Sequence, residues 1–368
     1  MSGKVKKHEP PFHIAKRDSL PAYKSWGIRL AAIIIALIVA GIVTMLLTGE
    51  NPISVYGTMI DGAFGSSRRV WKLLQNLAML LCVSLAVTPA FKMRFWNIGA
   101  EGQVLIGGLA TAGCMIMLGG KLPNALLIIV MLAASMLAGA VWALIPAFFK
   151  AKFNTNETLF TLMMNYVGIQ LVSYFEMYWE NPKGSSNIGI INQATHDGWL
   201  PVIGNYDYLL NVIVVLALTV FMYIYLKFSK HGYELTVVGE SENTARYIGV
   251  NVKKVILRTM ALSGAICGIA GLLLVSGTNH TLSTTTAGGR GFTAIMVSWL
   301  AKFNPIVMVL TSLLLAFLNC GAGEISTVYG FNESFSDIIT GIILFFIIGS
   351  EFFINYQIKF HRSGKEVK

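Results

Sequence analysis

The chain has 368 residues, of which 55% are hydrophobic and only 12% charged, and its formal net charge is +10. Soluble domains carry about 25% charged residues, so this composition excludes an ordinary soluble protein and indicates a polytopic membrane protein. Apolar runs of about 20 residues, long enough to cross a bilayer as helices, recur along the chain and leave no stretch for a separate soluble domain. The four cysteines lie in apolar runs without a CxxC pair, so no metal or redox site is indicated.

Hydropathy predicts an all-α membrane protein with ten apolar segments. In chain order they span 26–47, 73–91, 102–119, 124–149, 158–179, 208–228, 257–277, 291–301, 305–322 and 337–353. The eighth is too short to cross alone, so it is predicted to be re-entrant or part of a broken helix, with protein or water around its free backbone groups. The segments define a transmembrane domain over residues 26–355, between tails at 1–25 and 356–368.

Lys and Arg are distributed unevenly between the two sides of these segments. With the amino terminus inside, 22 fall on the inner side and 6 on the outer side, as the positive-inside rule requires. Both tails are therefore expected to be cytoplasmic, and the basic excess needs no nucleic acid to explain it. The first apolar run lacks a small-residue cleavage site, which predicts an uncleaved first helix rather than a signal peptide.

Two connections are longer than a helical bundle needs. The outer one, residues 180–207, is rich in Gly and Pro and is predicted to form an irregular extracytoplasmic cap. The inner one, residues 228–256, contains Glu242, Ala245 and Arg246, which favour helix and follow Ser241, a suitable N-cap. The sequence predicts a short helix across the cytoplasmic face that ends near Gly249, with a solvated loop as the alternative.

Asn97, Glu101 and Gln103 lie where the neighbouring sequence is apolar. A charged side chain at membrane depth costs at least ~2.5 kcal/mol, so these groups should face a bundle interior or a watery path. At helical spacing Asn97 and Glu101 share a face. They are predicted to pair with each other, to cap a broken helix or to line the solute path. Structural hydrogen bonding of Glu101 near the inner interface is the alternative.

The stretch NETLFTLMMNY contains two further candidates. Asn156 or Thr155 is predicted to cap a helix, with Glu157 favourably placed in its positive first turn. Asn165 and Tyr166 lie deeper in the segment. Their amide and phenol are predicted to hydrogen-bond either a solute or a neighbouring helix.

Three motifs, FWNIGAEGQ, NETLFTLMMNY and VGESENTARYIGV, occur in an order that resembles the permease subunits of bacterial ATP-binding-cassette (ABC) importers for nucleosides and simple sugars. That family is related to the ribose-type and branched-chain amino-acid permeases. The stretch FNPIVMVLTSLLLAFLNCGA is similar to its penultimate span, and the resemblance covers roughly residues 51–349. Two features depart from the pattern and leave the solute open. One is the basic cluster Arg68, Arg69 and Lys72, and the other is Ser298–Trp299, where small aliphatic residues are typical.

The resemblance implies a transport subunit rather than an enzyme, with no cofactor. The chain has no phosphate-binding G-x-x-x-x-G-K-[ST] loop, so ATP hydrolysis would belong to a separate cytoplasmic ABC ATPase. The helix of the inner loop would be the family's coupling helix, entered through a sharp turn at Gly239. The residues carried over to the ATPase contact are Gly239, Glu240, Asn243, Arg246, Tyr247 and Gly249.

The family also implies an external solute-binding lipoprotein, a second permease chain in an expected heterodimer, and residence in the bacterial cytoplasmic membrane. The solute would be a nucleoside, a simple sugar or another small polar molecule such as an amino acid. Two other classes stay open. A secondary transporter driven by an ion gradient also uses broken helices but needs no coupling loop. A membrane scaffold or receptor would move no solute.

Overall fold

The computed structural model describes residues 12–17, 21–204, 206, 208–331 and 333–360. The predicted tails fall partly outside these residues, at 1–11, 18–20 and 361–368. Asp207, at the end of the predicted outer loop, also lies outside them.

Within the described residues the chain is almost entirely helical, as predicted, with a single two-stranded sheet. The helices are α1 (Ala22–Thr48), α2 (Pro52–Phe64), α3 (Ser67–Lys92), α4 (Ala100–Leu118), α5 (Asn124–Phe153), α6 (Glu157–Tyr178), α7 (Leu209–Phe228), α8 (Lys230–Glu240), α9 (Glu242–Tyr247), α10 (Val252–Leu274), α11 (Arg290–Leu300), α12 (Pro305–Tyr329) and α13 (Glu333–Asn355). A π-helix, Val275–Asn279, continues α10, and the strands are β1 (Phe12–Lys16) and β2 (Tyr356–Phe360).

Each of the ten predicted apolar segments corresponds to a helix. Among the described residues, eight helices are long and apolar enough to cross a membrane. The other two segments correspond to α6, which carries several polar side chains, and to the short α11. Hydropathy missed α2, whose 13 residues are too few for a span. The side chain of Asn51 caps α2 by accepting the N–H of Ile53 at 3.0 Å.

The chain forms two compact units, one from Met1–Ser66 with Leu318–Lys368 and the other from Ser67–Phe317. In the first, α1 packs against α13, and the Arg29 guanidinium pairs with the Glu351 carboxylate at 2.5 Å. Strands β1 and β2 pair antiparallel, with Lys16 opposite Tyr356. The segment before α1 and the segment after α13 therefore lie at the same end of this helix pair.

The second unit is built around α10, which packs on α3, α4 and α5. Glycines allow backbone-to-backbone contact at these crossings. A Cβ at Gly268 would lie 2.1 Å from the carbonyl oxygen of Ser135 in α5. A Cβ at Gly271 would lie 2.4 Å from the carbonyl oxygen of Val104 in α4. Side chains would therefore force these helices apart.

The connection between α6 and α7 is irregular but well anchored in the same unit. The Asn192 side chain donates to the carbonyl of Met115 at the end of α4, at 2.9 Å. The N–H of Gly198 donates to Asn124 at the start of α5, at 2.8 Å, and the Ser276 hydroxyl donates to the carbonyl of Gly198. This connection thus covers one end of α4, α5 and α10.

Candidate functional site

Asn97 lies in the connection before α4, because that helix begins at Ala100. The prediction that Asn97 and Glu101 share one helical face is therefore wrong. The Asn97 side-chain oxygen accepts from the N–H of Gly99 at 3.1 Å and from the Gln103 amide at 3.2 Å. Its amide group donates to the Ser263 hydroxyl of α10 at 3.2 Å. Asn97 and Gln103 are both buried, and their hydrogen bonds hold the start of α4 against α10.

Glu101 is buried and caps the short helix α11. One carboxylate oxygen accepts the N–H of Gly289 at 2.7 Å, and the other accepts the N–H of Gly291 at 2.7 Å. A negative charge at a helix N-terminus satisfies free donors and the helix dipole together. Capping of a helix is thus the predicted role that these hydrogen bonds confirm for Glu101, and lining of the solute path stays a prediction. Gly291 must be glycine here, because a Cβ would lie 2.5 Å from the backbone nitrogen of Glu101.

Asn165 contacts a neighbouring helix, one of the two alternatives predicted for it. Its side-chain oxygen accepts the N–H of Gly102 at 2.8 Å, and its amide donates to the carbonyl of Ile98 at 2.9 Å. Tyr166 is 59% exposed and is not part of this buried cluster. Successive helical residues point about 100° apart, so the two side chains diverge.

The start of α6 confirms the predicted cap. The Asn156 side chain accepts the N–H of Leu159 at 3.1 Å, and Glu157 lies in the first turn. The Glu157 carboxylate also pairs with Lys150 of α5 at 2.9 Å.

The structure explains why Ser298 stands where small aliphatic residues are typical of the family. Ser298 of α11 is fully buried against α3. Its hydroxyl lies 3.0 Å from that of Thr88 and donates to the carbonyl of Ser84 at 3.1 Å. At the other end of the helix, the Arg290 guanidinium donates to the Asn76 side chain of α3 at 3.3 Å. Helix α11 is thus fixed to α3 at both ends and to α4 through Glu101.

The α8–α9 segment contains the residues expected to contact an ATPase. The Ser241 hydroxyl accepts the N–H of Thr244 at 3.2 Å, so the predicted N-cap is confirmed. Gly249 has a φ of +85°, a conformation that suits glycine and ends the segment as predicted. Five of the six carried-over residues are exposed, namely Glu240, Asn243, Arg246, Tyr247 and Gly249.

The predicted entry turn at Gly239 is wrong. Gly239 lies inside α8 and is buried, and a Cβ there would lie 2.2 Å from the carbonyl oxygen of Lys92 at the end of α3. Its requirement for glycine comes from this close approach rather than from an unusual φ. The sequence offered no signal for it, because the partner is remote in the chain.

An ion pair also fixes α8 to α10. The Glu234 carboxylate accepts from the Arg258 guanidinium at 2.9 Å. This hydrogen bond lowers the pKa of the Glu234 carboxyl below its usual value, and the positive charge of Arg258 adds to the effect. The exposed α9 is therefore joined, through α8, to the ends of two buried helices.

Together these features define a polytopic membrane protein with a short helix capped by a buried carboxylate and an exposed helical segment between two spans. A family model described as "Branched-chain amino acid transport system / permease component" matches residues 69–348. The chain belongs to this permease family.

Three curated relatives are similar over most of their length. The guanosine ABC transporter permease protein NupP of Bacillus subtilis is 31% identical, over 90% of this chain and 94% of the relative. The glucose ABC transporter permease protein TsgB13 of Haloferax volcanii is 29% identical, over 95% and 94%. The nucleoside ABC transporter permease protein NupB of Lactococcus lactis is 26% identical, over 86% and 89%.

Proposed function

We propose that this chain is the permease subunit of an ABC importer and moves nucleosides, or related simple sugars, across the cytoplasmic membrane by alternating access. The observation that carries the proposal is the exposed helix α9. Through α8 it is connected to α3, at the contact of Gly239 with Lys92, and to α10, at the ion pair of Glu234 with Arg258. The names of the relatives support the solute class, because two of the three concern nucleosides or guanosine and the third concerns glucose.

The geometry offers a route for mechanical coupling. An ATPase that pushes on α9 moves α8, and α8 meets the backbone of Lys92 through Gly239. Lys92 leads directly into the connection that holds Asn97, whose hydrogen bonds reach α4 and α10. Glu101 then joins α4 to α11. In this proposal the buried side chains of Asn97 and Glu101 connect the helices that move together, and the solute passes beside them.

The tip of α9 suits a protein partner. Tyr247 is 92% exposed and Ile248 is half-exposed, so an apolar pair projects from a polar helix. The polar residues Glu240, Asn243 and Arg246 of the same segment are exposed as well. Such an apolar anchor with a polar rim is typical of interface hot spots. We assign this surface to the cytoplasmic ATPase.

The remaining partners follow from the importer architecture. An external lipoprotein delivers the solute, and a second permease chain, different from this one, completes the membrane part. Both termini and α9 are cytoplasmic in this proposal, and the α6–α7 connection is extracytoplasmic. The 22-to-6 distribution of Lys and Arg supports this orientation, and the pairing of β1 with β2 supports a common side for both tails.

The test is reconstitution of the chain in liposomes with its ATPase, its partner permease and its binding protein. We expect ATP-dependent uptake of labelled nucleosides or sugars, and none when the ATPase carries an inactivated phosphate-binding loop. Liposomes that contain this chain alone, under an imposed proton or sodium gradient, are the second arm. Concentrative uptake in that arm would show a secondary transporter and contradict the proposal.

A further inference from the structure

Three stacked rings join the α6–α7 connection to the end of α10. His196 and Trp199 belong to the connection, and His280 directly follows the π-helix that continues α10. The ring of His280 lies on the indole of Trp199, with centroids 3.6 Å apart and planes that differ by 10°. The ring of His196 stacks on the same indole at 4.3 Å and 24°. Two titratable side chains therefore share one indole where these segments meet.

Backbone hydrogen bonds join the same two segments. The N–H of Ile191 donates to the carbonyl of His280 at 2.8 Å, and the N–H of Leu200 donates to the carbonyl of Ser276 at 3.2 Å. The indole N–H of Trp199 donates to the carbonyl of Ile191 at 2.9 Å, which fixes the plane of the indole. The ring stack and these hydrogen bonds together hold the connection on the end of α10.

The main chain fixes the position of the His280 ring. The π-helix Val275–Asn279 ends at His280, whose φ of 51° lies in the left-handed region. Histidine is among the residues that adopt this conformation more readily than most, and short π-helical segments occur frequently at functional sites. The turn at His280 thus presents its imidazole to Trp199.

A positive charge on His280 does not fit this junction. The Nδ1 atom of His280 is buried and has no hydrogen-bond partner among the described residues. Burial lowers the pKa of the His280 imidazole below its usual value, the positive charge of His196 lowers it further, and the nearby Ser276 backbone opposes the two effects only in part. Protonation would place a buried N–H without an acceptor beside a second histidine, which costs free energy.

Other acidic groups near the stack are directed elsewhere. The Asp197 carboxylate lies beside the turn that follows α4, and the Glu176 carboxylate of α6 interacts with the backbone of Thr284. Among the groups that the structure describes, His196 is the one whose charge acts on the pKa of His280, and its charge has the same sign.

Attraction between a cation and an indole face works in the opposite direction. An imidazolium stacked on tryptophan gains from this attraction, which would favour the charged ring. In this junction burial and His196 outweigh it, because the pKa of His280 is lowered rather than raised. The neutral ring is therefore the form that stabilises the closed junction.

We propose that His196, Trp199 and His280 form an acid-sensitive latch that holds the α6–α7 connection on the end of α10. Above about pH 6.5, His280 is neutral whether the latch is closed or open, so protons have no effect on it. As the pH falls below that value, the open form binds a proton more readily than the closed form, and acid shifts the equilibrium towards opening. In the orientation proposed above the latch faces the outside of the cell, but its chemistry does not depend on the transport function.

The test is hydrogen exchange of the complete chain in nanodiscs at about pH 7.5 and about pH 5, read by mass spectrometry on peptides that contain the amides of Ile191 and Leu200. His280→Asn cannot take up the proton, and asparagine tolerates the positive φ at this position. Each variant is compared with wild type at the same pH, so that the intrinsic pH dependence of exchange cancels. The ratio of the wild-type rate to the His280→Asn rate is expected to rise at least about threefold between pH 7.5 and pH 5.

His196→Asn is the second variant, because it keeps Trp199 and His280 stacked and also tolerates its positive φ of 56°. It removes the like charge, so its acid response should be smaller than that of wild type. His231→Asn on α8 is the matched control and should respond to acid as wild type does.

A ratio that stays constant between the two pH values would overturn the proposal, as would stronger protection of wild type in acid, since attraction to the indole would then prevail. If His280→Asn is already open at pH 7.5, His196→Asn decides: a reduced acid response supports the latch, and an undiminished response overturns it. The measurement requires no transport, so a failure of the proposed function would leave its result intact.

Discussion

Gly239 packs directly on the backbone of Lys92, so closely that a Cβ at Gly239 would lie 2.2 Å from the Lys92 carbonyl oxygen. No rotamer change relieves a clash between a Cβ and a carbonyl. Any side chain at this position must therefore displace α8 from the end of α3, and with it the exposed α9.

Gly239→Ala is expected to uncouple transport from ATP hydrolysis. In the reconstituted importer, uptake should fall by about tenfold while ATP turnover continues, because the displaced α8 no longer passes the motion of α9 to α3. The matched control is Gly341→Ala in α13, where a Cβ would meet nothing within 4 Å. Normal coupled uptake by Gly239→Ala would show that the contact with Lys92 does not transmit the motion.

Tyr247 is expected to anchor the ATPase. Truncation of an exposed aromatic anchor at an interface typically costs about 2 kcal/mol, so Tyr247→Ala should raise the Kd for the ATPase roughly 30-fold. Binding of the purified ATPase to the permease in nanodiscs measures this change. Tyr233→Ala is the control, because Tyr233 is exposed on α8 rather than on α9. Equal weakening by both variants would argue against a specific site on α9.

Removal of the Glu101 cap is expected to destabilise the protein. Glu101→Ala leaves the N–H groups of Gly289 and Gly291 without their acceptors, and the loss at the buried Gly291 costs about 1–3 kcal/mol. Glu101→Gln keeps an acceptor and should be less severe. Thermal unfolding in detergent should rank wild type above Glu101→Gln and Glu101→Gln above Glu101→Ala. The exposed Glu240→Ala serves as the control, and a Glu101→Ala protein as stable as this control would contradict the capping role.

Acid should weaken the tie between α8 and α10. The pKa of the Glu234 carboxyl is lowered in the folded protein, chiefly by its hydrogen bond with Arg258. Its contribution to stability is therefore present above the unfolded pKa of about 4.3 and is lost as the pH falls through the lower folded value. The difference in unfolding temperature between wild type and Glu234→Gln should stay constant from pH 7 to about 5 and then shrink.

The control for that experiment is the exposed pair of Glu242 and Arg246, whose charged groups are 3.2 Å apart. Exposed pairs contribute little, so Glu242→Gln should change stability by less than about 0.5 kcal/mol at any pH. If Glu234→Gln changed the unfolding temperature no more than Glu242→Gln from pH 7 to 3, the ion pair of Glu234 with Arg258 would add no stability.

Local signals in the sequence predicted local structure well. Long apolar runs located ten helices, because both a lipid-facing helix and a buried one need that composition. The caps at Ser241 and Asn156 were also predictable, because a side-chain cap depends on residues only three positions apart.

Features decided by distant residues were not predictable from the pattern. Asn165 of α6 binds Gly102 and Ile98 beside the start of α4, and spacing alone could not show that Asn97 lies before this helix rather than on one face of it with Glu101. The pattern predicts a turn at Gly239 instead of a close helix contact, because its partner, Lys92, lies far away in the sequence. The sequence likewise could not show that Glu101 accepts hydrogen bonds from Gly289 and Gly291, because α11 follows far along the chain.

The glycine crossings of α10 limit which parts of this protein can move. Where main chain touches main chain, as at Gly268 with Ser135 and at Gly271 with Val104, no side chain can rearrange to absorb a displacement. Helices α4, α5 and α10 must then travel as one rigid body during each transport cycle. The bending has to occur in the segments that flank this body, such as the connection that carries Trp96.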